Sequence, residues 1–164
     1  LIRFSNGSNT ALQMGIRNPG MVNKLVIASA FYKREGMTKG FVEGLKKATL
    51  NDMPEDLREA YLAVNNDSNG LKKMFERDKT RMVTFKDWKD EDLFSIKAVS
   101  LIVIGDKDVV TPEHAVEMSH KIPNCELMIL PGNHGSYLGE TSATKDSSRI
   151  PALTMEVIQE FLEK

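Results

Sequence analysis

The chain has 164 residues, 22 Lys or Arg against 23 Asp or Glu, and a formal net charge of −1; 41% of residues are hydrophobic and 27% charged. That balance describes one ordinary globular domain, and without a basic run it argues against nucleic acid or an anionic membrane as partner. The one cysteine, Cys125, excludes an internal disulfide and fits a reducing compartment. No apolar run approaches membrane-spanning length and no signal peptide is visible, so a cytoplasmic location is expected.

Taken in chain order, Leu1 to Phe4 reads as a short strand. Asn9 to Arg17 reads as a helix stopped by Asn18-Pro19-Gly20. Lys24-Leu25-Val26-Ile27-Ala28 is a second strand, apolar on both faces as strands of a parallel sheet are. From Lys33 to Ile96 the character turns helical, charged and rich in methionine. Amphipathic stripes run through Phe41, Val42, Leu45 and Ala48, and through Leu71, Met74, Phe75 and Met82. Asp52 is expected to cap a helix carrying Leu57, Tyr61 and Leu62, with Pro54 in its first turn. The loop Asn65 to Gly70 precedes the next helix. A helical block longer than any crossover requires reads as an inserted cap at 33–96 between core segments 1–32 and 97–164.

The last third carries the chemistry. A buried-type strand, Leu101-Ile102-Val103-Ile104, runs into Gly105-Asp106-Lys107-Asp108-Val109-Val110-Thr111-Pro112. Thr111 can cap the following helix and Pro112 suits its first position, with Ala115, Met118, Ser119 and Ile122 on its buried face. A further strand, Glu126 to Leu130, runs into Pro131-Gly132-Asn133-His134-Gly135, and a final helix is expected to bury Leu153, Val157, Ile158, Phe161 and Leu162. The class is therefore α/β, a three-layer sandwich with a partial parallel sheet and a helical cap insertion. An acid and a histidine at the ends of successive strands are how such enzymes present an acid–base pair. Ser5, in Phe4-Ser5-Asn6-Gly7, adds a nucleophile at the end of the first strand, giving the chain order Ser, Asp, His.

On Ser5-Asn6-Gly7, the Gly105-x-x-Asp108 loop followed by Pro112, and Pro131-Gly132-Asn133-His134, the chain resembles the C-terminal part of an α/β-hydrolase of the esterase and carbon–carbon bond hydrolase kind. The resemblance implies Ser5 as nucleophile, Asp108 as triad acid and His134 as general base, with the Asn6 backbone N–H as oxyanion donor. It also implies a small ester or related acyl substrate entering between sheet and cap, and no metal or organic cofactor. Arg3 stands where the family carries a small residue, and a long charged side chain there is expected to clash or relax the serine turn. Because the sequence opens at Leu1, just before the strand expected to carry Ser5, the family's N-terminal strands and second oxyanion donor are expected to be missing from it. An open sheet edge covered by a second copy of the chain, or by a separate N-terminal fragment, is therefore expected.

The other polar residues have plainer expectations. Asp106, the rival acid, reads as a loop brace; Ser8, Ser29 and Ser136 read as structural. His114 and His120 lack the i, i+4 spacing of metal ligands and are expected at the surface or as caps. Phe31, Tyr32, Trp88 and the methionines read as packing, and Cys125 as a buried structural thiol. The competing classes are an inert hydrolase fold serving as a binding or assembly module, and a nucleotide-binding domain. The second lacks any glycine-rich phosphate loop after a strand.

Overall fold

The computed structural model describes residues 1–140, 143 and 147–164. Its strands are β1 (Ile2–Phe4), β2 (Lys24–Ala28), β3 (Val99–Lys107) and β4 (Cys125–Asn133). Its helices are α1 (Asn6–Arg17), α2 (Phe41–Lys47), α3 (Glu55–Asn65), α4 (Ser68–Val83), α5 (Asp90–Phe94), α6 (Pro112–Lys121) and α7 (Ile150–Glu163). The described residues form two compact units, one of residues 1–38 and 87–164, the other Lys39–Lys86.

The first unit is built on a wholly parallel sheet in the order β1-β2-β3-β4, with helices on both faces. Strand side chains alternate, so the in-register pairs Val26–Leu101 and Ala28–Val103 point to one face. There they meet Leu130, Tyr137, and Ile158 and Phe161 of α7 in a single cluster. Leu25, Ile27, Ile102 and Ile104 fill the opposite face, all essentially inaccessible to solvent. On that side Gly15 of α1 lies against Leu25, and a methyl at Gly15 would stand 3.0 Å from Leu25 Cδ1. Each such aliphatic side chain contributes roughly 1.5–3 kcal/mol on burial. A sheet buried on both faces needs strands without a polar side, which explains the unbroken apolar runs of β2 and β3.

Near its two junctions with the second unit, the first is tied down by its own backbone. Thr38 donates its N–H to Val109 O at 2.8 Å, Met37 bridges antiparallel to Val110, and Thr111 donates to Gly36 O at 2.8 Å. On the other side of the junction, Trp88 donates to Tyr32 O at 2.9 Å.

The second unit is a small helical packing in which α2 and α3 rest on α4. Leu71 is its deeply buried side chain, and Lys79 Nζ reaches Ala48 O at 2.6 Å.

Three local expectations are corrected. Helix α1 begins at Asn6, directly after Ser5, because the strand-to-helix turn takes a single residue. Asp52 caps no α-helix: it closes a 3-10 turn with Thr49, accepting from the Thr49 N–H and hydroxyl at 2.8 Å each, and Pro54 itself precedes α3. In α7 the buried residues are Thr154, Ile158 and Phe161, while Leu153 and Leu162 lie on the exposed side. The covered stripe is narrower than the apolar one in the sequence.

Candidate active site

Three strand ends meet at the C-terminal edge of the sheet. The first carries Ser5. Its backbone adopts φ 53° and ψ −126°, a left-handed conformation that a side chain rarely takes. The turn is held by the Ser5 N–H to Ala28 O at 2.9 Å and by Ser8 N–H to Ser5 O at 2.9 Å. Buried Ser8 adds a cross-link, its hydroxyl lying 2.6 Å from Arg3 O and 2.8 Å from Ala28 O while accepting the Ala28 N–H at 3.0 Å. Although Ser5 occupies the N-cap position of α1, its hydroxyl makes no capping bond and points elsewhere.

The expected disturbance from Arg3 does not occur. Its side chain leaves the turn along the surface, with Nη1 donating to Ile2 O at 2.8 Å. Its aliphatic stem lies over Gly7, where a methyl would stand 3.3 Å from Arg3 Cδ. The small residue two places after the serine makes that room, and the turn keeps its left-handed form.

The second strand end carries Asp108, whose side chain is fully buried. Oδ1 accepts from the Val109 N–H at 2.6 Å and the Val110 N–H at 3.4 Å, and lies 2.7 Å from His134 Nδ1. Oδ2 accepts from the Ser29 hydroxyl at 2.5 Å. Burial alone would push this carboxyl up, but His134, by hydrogen bond and charge, and then Ser29 outweigh it and hold the carboxyl below its usual range. Neighbouring Asp106 braces the loop as expected, accepting the Gly132 N–H at 2.8 Å.

The third strand end carries His134, with its side chain 31% exposed. Glycines with left-handed backbones flank it, Gly132 at φ 144° and Gly135 at φ 81°, and the Phe4 ring lies 4.7 Å from the imidazole. His134 Nε2 is 3.0 Å from Ser5 Oγ. A carboxylate can only accept, so Nδ1 carries the proton toward Asp108 and Nε2 offers its lone pair to the Ser5 hydroxyl. The three residues singled out in the sequence are thus joined in one hydrogen-bonded line, a geometry in which a hydroxyl can hand its proton to a base. The Asn6 N–H belongs to the first turn of α1, directly after Ser5.

Two further residues join the site: Ser29, which the sequence presents only as a structural serine, and Tyr137, which no local pattern marks. Ser29 directly follows β2 at φ 54°, and its hydroxyl lies between Asp108 and the buried Tyr137 hydroxyl, 2.5 Å from each. The readable signal was position: Ser29 is the first polar residue after the apolar run of β2, at the sheet edge where the other two strand ends converge.

His114 departs from its expectation. It is buried, stacked on Tyr32 with ring centroids 4.9 Å apart, and its Nε2 accepts the Tyr32 N–H at 3.3 Å. Burial pushes its imidazole below the ordinary value, against the opposing pull of Glu117. Cys125 is half-buried rather than buried as expected, and that burial still pushes its thiol up to about 12, which keeps it protonated. Among the described residues no cluster of His, Cys, Asp and Glu is arranged to hold a metal, and no helix is long and apolar enough to cross a membrane.

No protein-family model matches the sequence, and no curated protein matches it. Solved structures do resemble it. A meta-cleavage product hydrolase from Pseudomonas fluorescens aligns over 99% of this chain and 64% of its own, with a TM-score of 0.68 and 16% identity. An alpha/beta hydrolase from a Medee basin deep-sea metagenome library aligns over 99% and 64%, at 0.64 and 19% identity. The Pyrococcus furiosus esterase Pf2001 aligns over 99% and 51%, at 0.59 and 18% identity. This chain spans less than two thirds of the length of each. Identities this low speak to architecture rather than chemistry. By its sheet order and these likenesses, the chain has the fold of the α/β-hydrolases.

Proposed function

We propose that the chain is a serine hydrolase acting on a small ester or related acyl compound. The observation that carries this reading is the continuous line from Ser5 Oγ to His134 Nε2 at 3.0 Å and from His134 Nδ1 to Asp108 at 2.7 Å, anchored on a left-handed Ser5. Ser5 Oγ attacks the substrate carbonyl carbon while His134 Nε2 takes the hydroxyl proton. Asp108 holds the Nδ1–H tautomer and stabilises the imidazolium. The carbonyl oxygen, now negative, accepts from the Asn6 N–H. Collapse expels the alcohol, which leaves with the proton from Nε2, and Ser5 stays acylated. Water, deprotonated by His134, then releases the acid and restores Ser5. Proteins described as an esterase and a meta-cleavage product hydrolase share this fold, and the hydrolytic reading itself rests on the geometry of Ser5, His134 and Asp108.

A fluorophosphonate probe tests this directly. Mass spectrometry should place the adduct on Ser5. Ser5→Ala should abolish both labelling and hydrolysis of a short-chain nitrophenyl ester. Turnover that survives Ser5→Ala would locate the nucleophile elsewhere and end the proposal.

A further inference from the structure

The chemistry proposed above uses one oxygen of Asp108. The other is held by a device nothing in that mechanism requires. Ser29 directly follows β2 as Ser5 directly follows β1, with nearly the same positive φ, 54° against 53°. Its side chain is buried, and its hydroxyl lies 2.5 Å from Asp108 Oδ2 and 2.5 Å from the Tyr137 hydroxyl. Tyr137 is itself fully buried, and its hydroxyl lies 3.3 Å from Val103 O.

Counting protons assigns directions. A carboxylate only accepts, so the single Ser29 proton is committed to Asp108. The Tyr137 proton is then directed at Ser29 Oγ, with Val103 O as its longer-range alternative. Burial raises the Tyr137 hydroxyl above its ordinary range, so it stays a donor. Without Ser29, Oδ2 would be a buried charged oxygen lacking a donor. The carboxylate could then lower its energy by taking up a proton or by rotating away from His134.

We propose that Ser29 is a positioning residue for Asp108, with Tyr137 fixing the direction of the Ser29 hydroxyl. The pair locks the second carboxylate oxygen so that the first stays in line with His134 Nδ1. This rests on the reading of Asp108 as the acid partner of His134.

The test uses the full chain and three variants, Ser29→Gly, Tyr137→Phe and the double substitution. Glycine is chosen because it accepts the left-handed backbone without strain while removing the hydroxyl. The first readout is the pH titration of the Asp108 carboxyl carbon by NMR, which needs no activity. Ser29→Gly should move that titration to higher pH. Tyr137→Phe should move it less and in the same direction, and the double variant should match Ser29→Gly alone, since Tyr137 acts through Ser29. The second readout is fluorophosphonate labelling of Ser5, expected to slow about ten-fold or more in Ser29→Gly, the worth of one hydrogen bond to a charged group. An Asp108 titration unmoved in Ser29→Gly overturns the proposal, whatever the activity. A moved titration with unchanged labelling supports Ser29 as the Asp108 anchor and counts against the hydrolase mechanism instead. Should Ser29→Gly fail to fold, the Tyr137→Phe titration decides, a moved value supporting the proposal and an unmoved one overturning it.

Discussion

Gly105 and Gly132 face each other across β3 and β4 so closely that a methyl on Gly105 would overlap the Gly132 carbonyl oxygen. Just beyond this contact the register between the two strands shifts, the pairing resumes at Lys107 and Asn133, and the next residues are Asp108 and His134. The two glycines have different steric causes: Gly105 is held to glycine by the Gly132 backbone, and Gly132 by its φ of 144° and by the Ser136 hydroxyl, which a methyl would overlap.

Gly105→Ala is expected to force β3 and β4 apart. Backbone cannot yield as a flexible side chain can, so a cost of about 1–3 kcal/mol in urea unfolding is expected. Ser5 labelling should fall in the same variant, because both loops hang from the displaced strands. Wild-type stability together with wild-type labelling would show that the contact has no mechanical role.

Ser5→Gly separates strain from chemistry. The left-handed backbone of Ser5 suits glycine, so the variant should be more stable, on the order of 1 kcal/mol, despite losing its hydroxyl. Labelling should vanish. A variant less stable than the parent in urea would mean that the hydroxyl contributes more to folding than the strained turn costs.

Gly36 lies against the buried His114 ring so tightly that a methyl would overlap it. Gly36→Ala should cost about 1–3 kcal/mol by overpacking. His114→Ala should cost a similar amount, because it leaves the Tyr32 N–H without its acceptor. In the double variant the methyl enters the vacated space, so the combined cost should be less than the sum. Strict additivity in denaturant titrations would contradict this contact.

Acid should destabilise the chain in two stages. Burial holds the folded His114 below the ordinary imidazole value, so the unfolded chain binds its proton more readily. The stability linked to His114 is present at neutral pH and declines as pH falls below about 6.5. Asp108 is also depressed in the folded state, so its contribution is present above about pH 4 and is lost as pH falls through the lower, folded value. Urea midpoints followed from neutral to acid pH should show both declines. His114→Gln should flatten the upper one, and an unchanged slope there would remove His114 as its source.

The sequence by itself determined the strands and the acid and base loops. Leu101 to Ile104 is apolar without interruption, which only a strand covered on both faces requires, and Gly105 to Asp108 and Pro131 to His134 are local patterns whose meaning lies within a few residues. Local reading failed where the partner came from elsewhere in the chain. Apolar periodicity drew a broad stripe on α7, but only the sheet decided that Ile158 and Phe161 are covered while Leu153 and Leu162 are not. His114 resembled a surface histidine until Tyr32, 82 positions away, closed over it. Ser29 meets Asp108 across 79 positions and Tyr137 across 108, and its left-handed backbone has no residue-type signature of the kind glycine supplies. Strand identity is a short-range property of side-chain chemistry. The hydrogen bonds of a buried carboxylate depend on which strand ends the sheet brings together, and only the folded chain decides that.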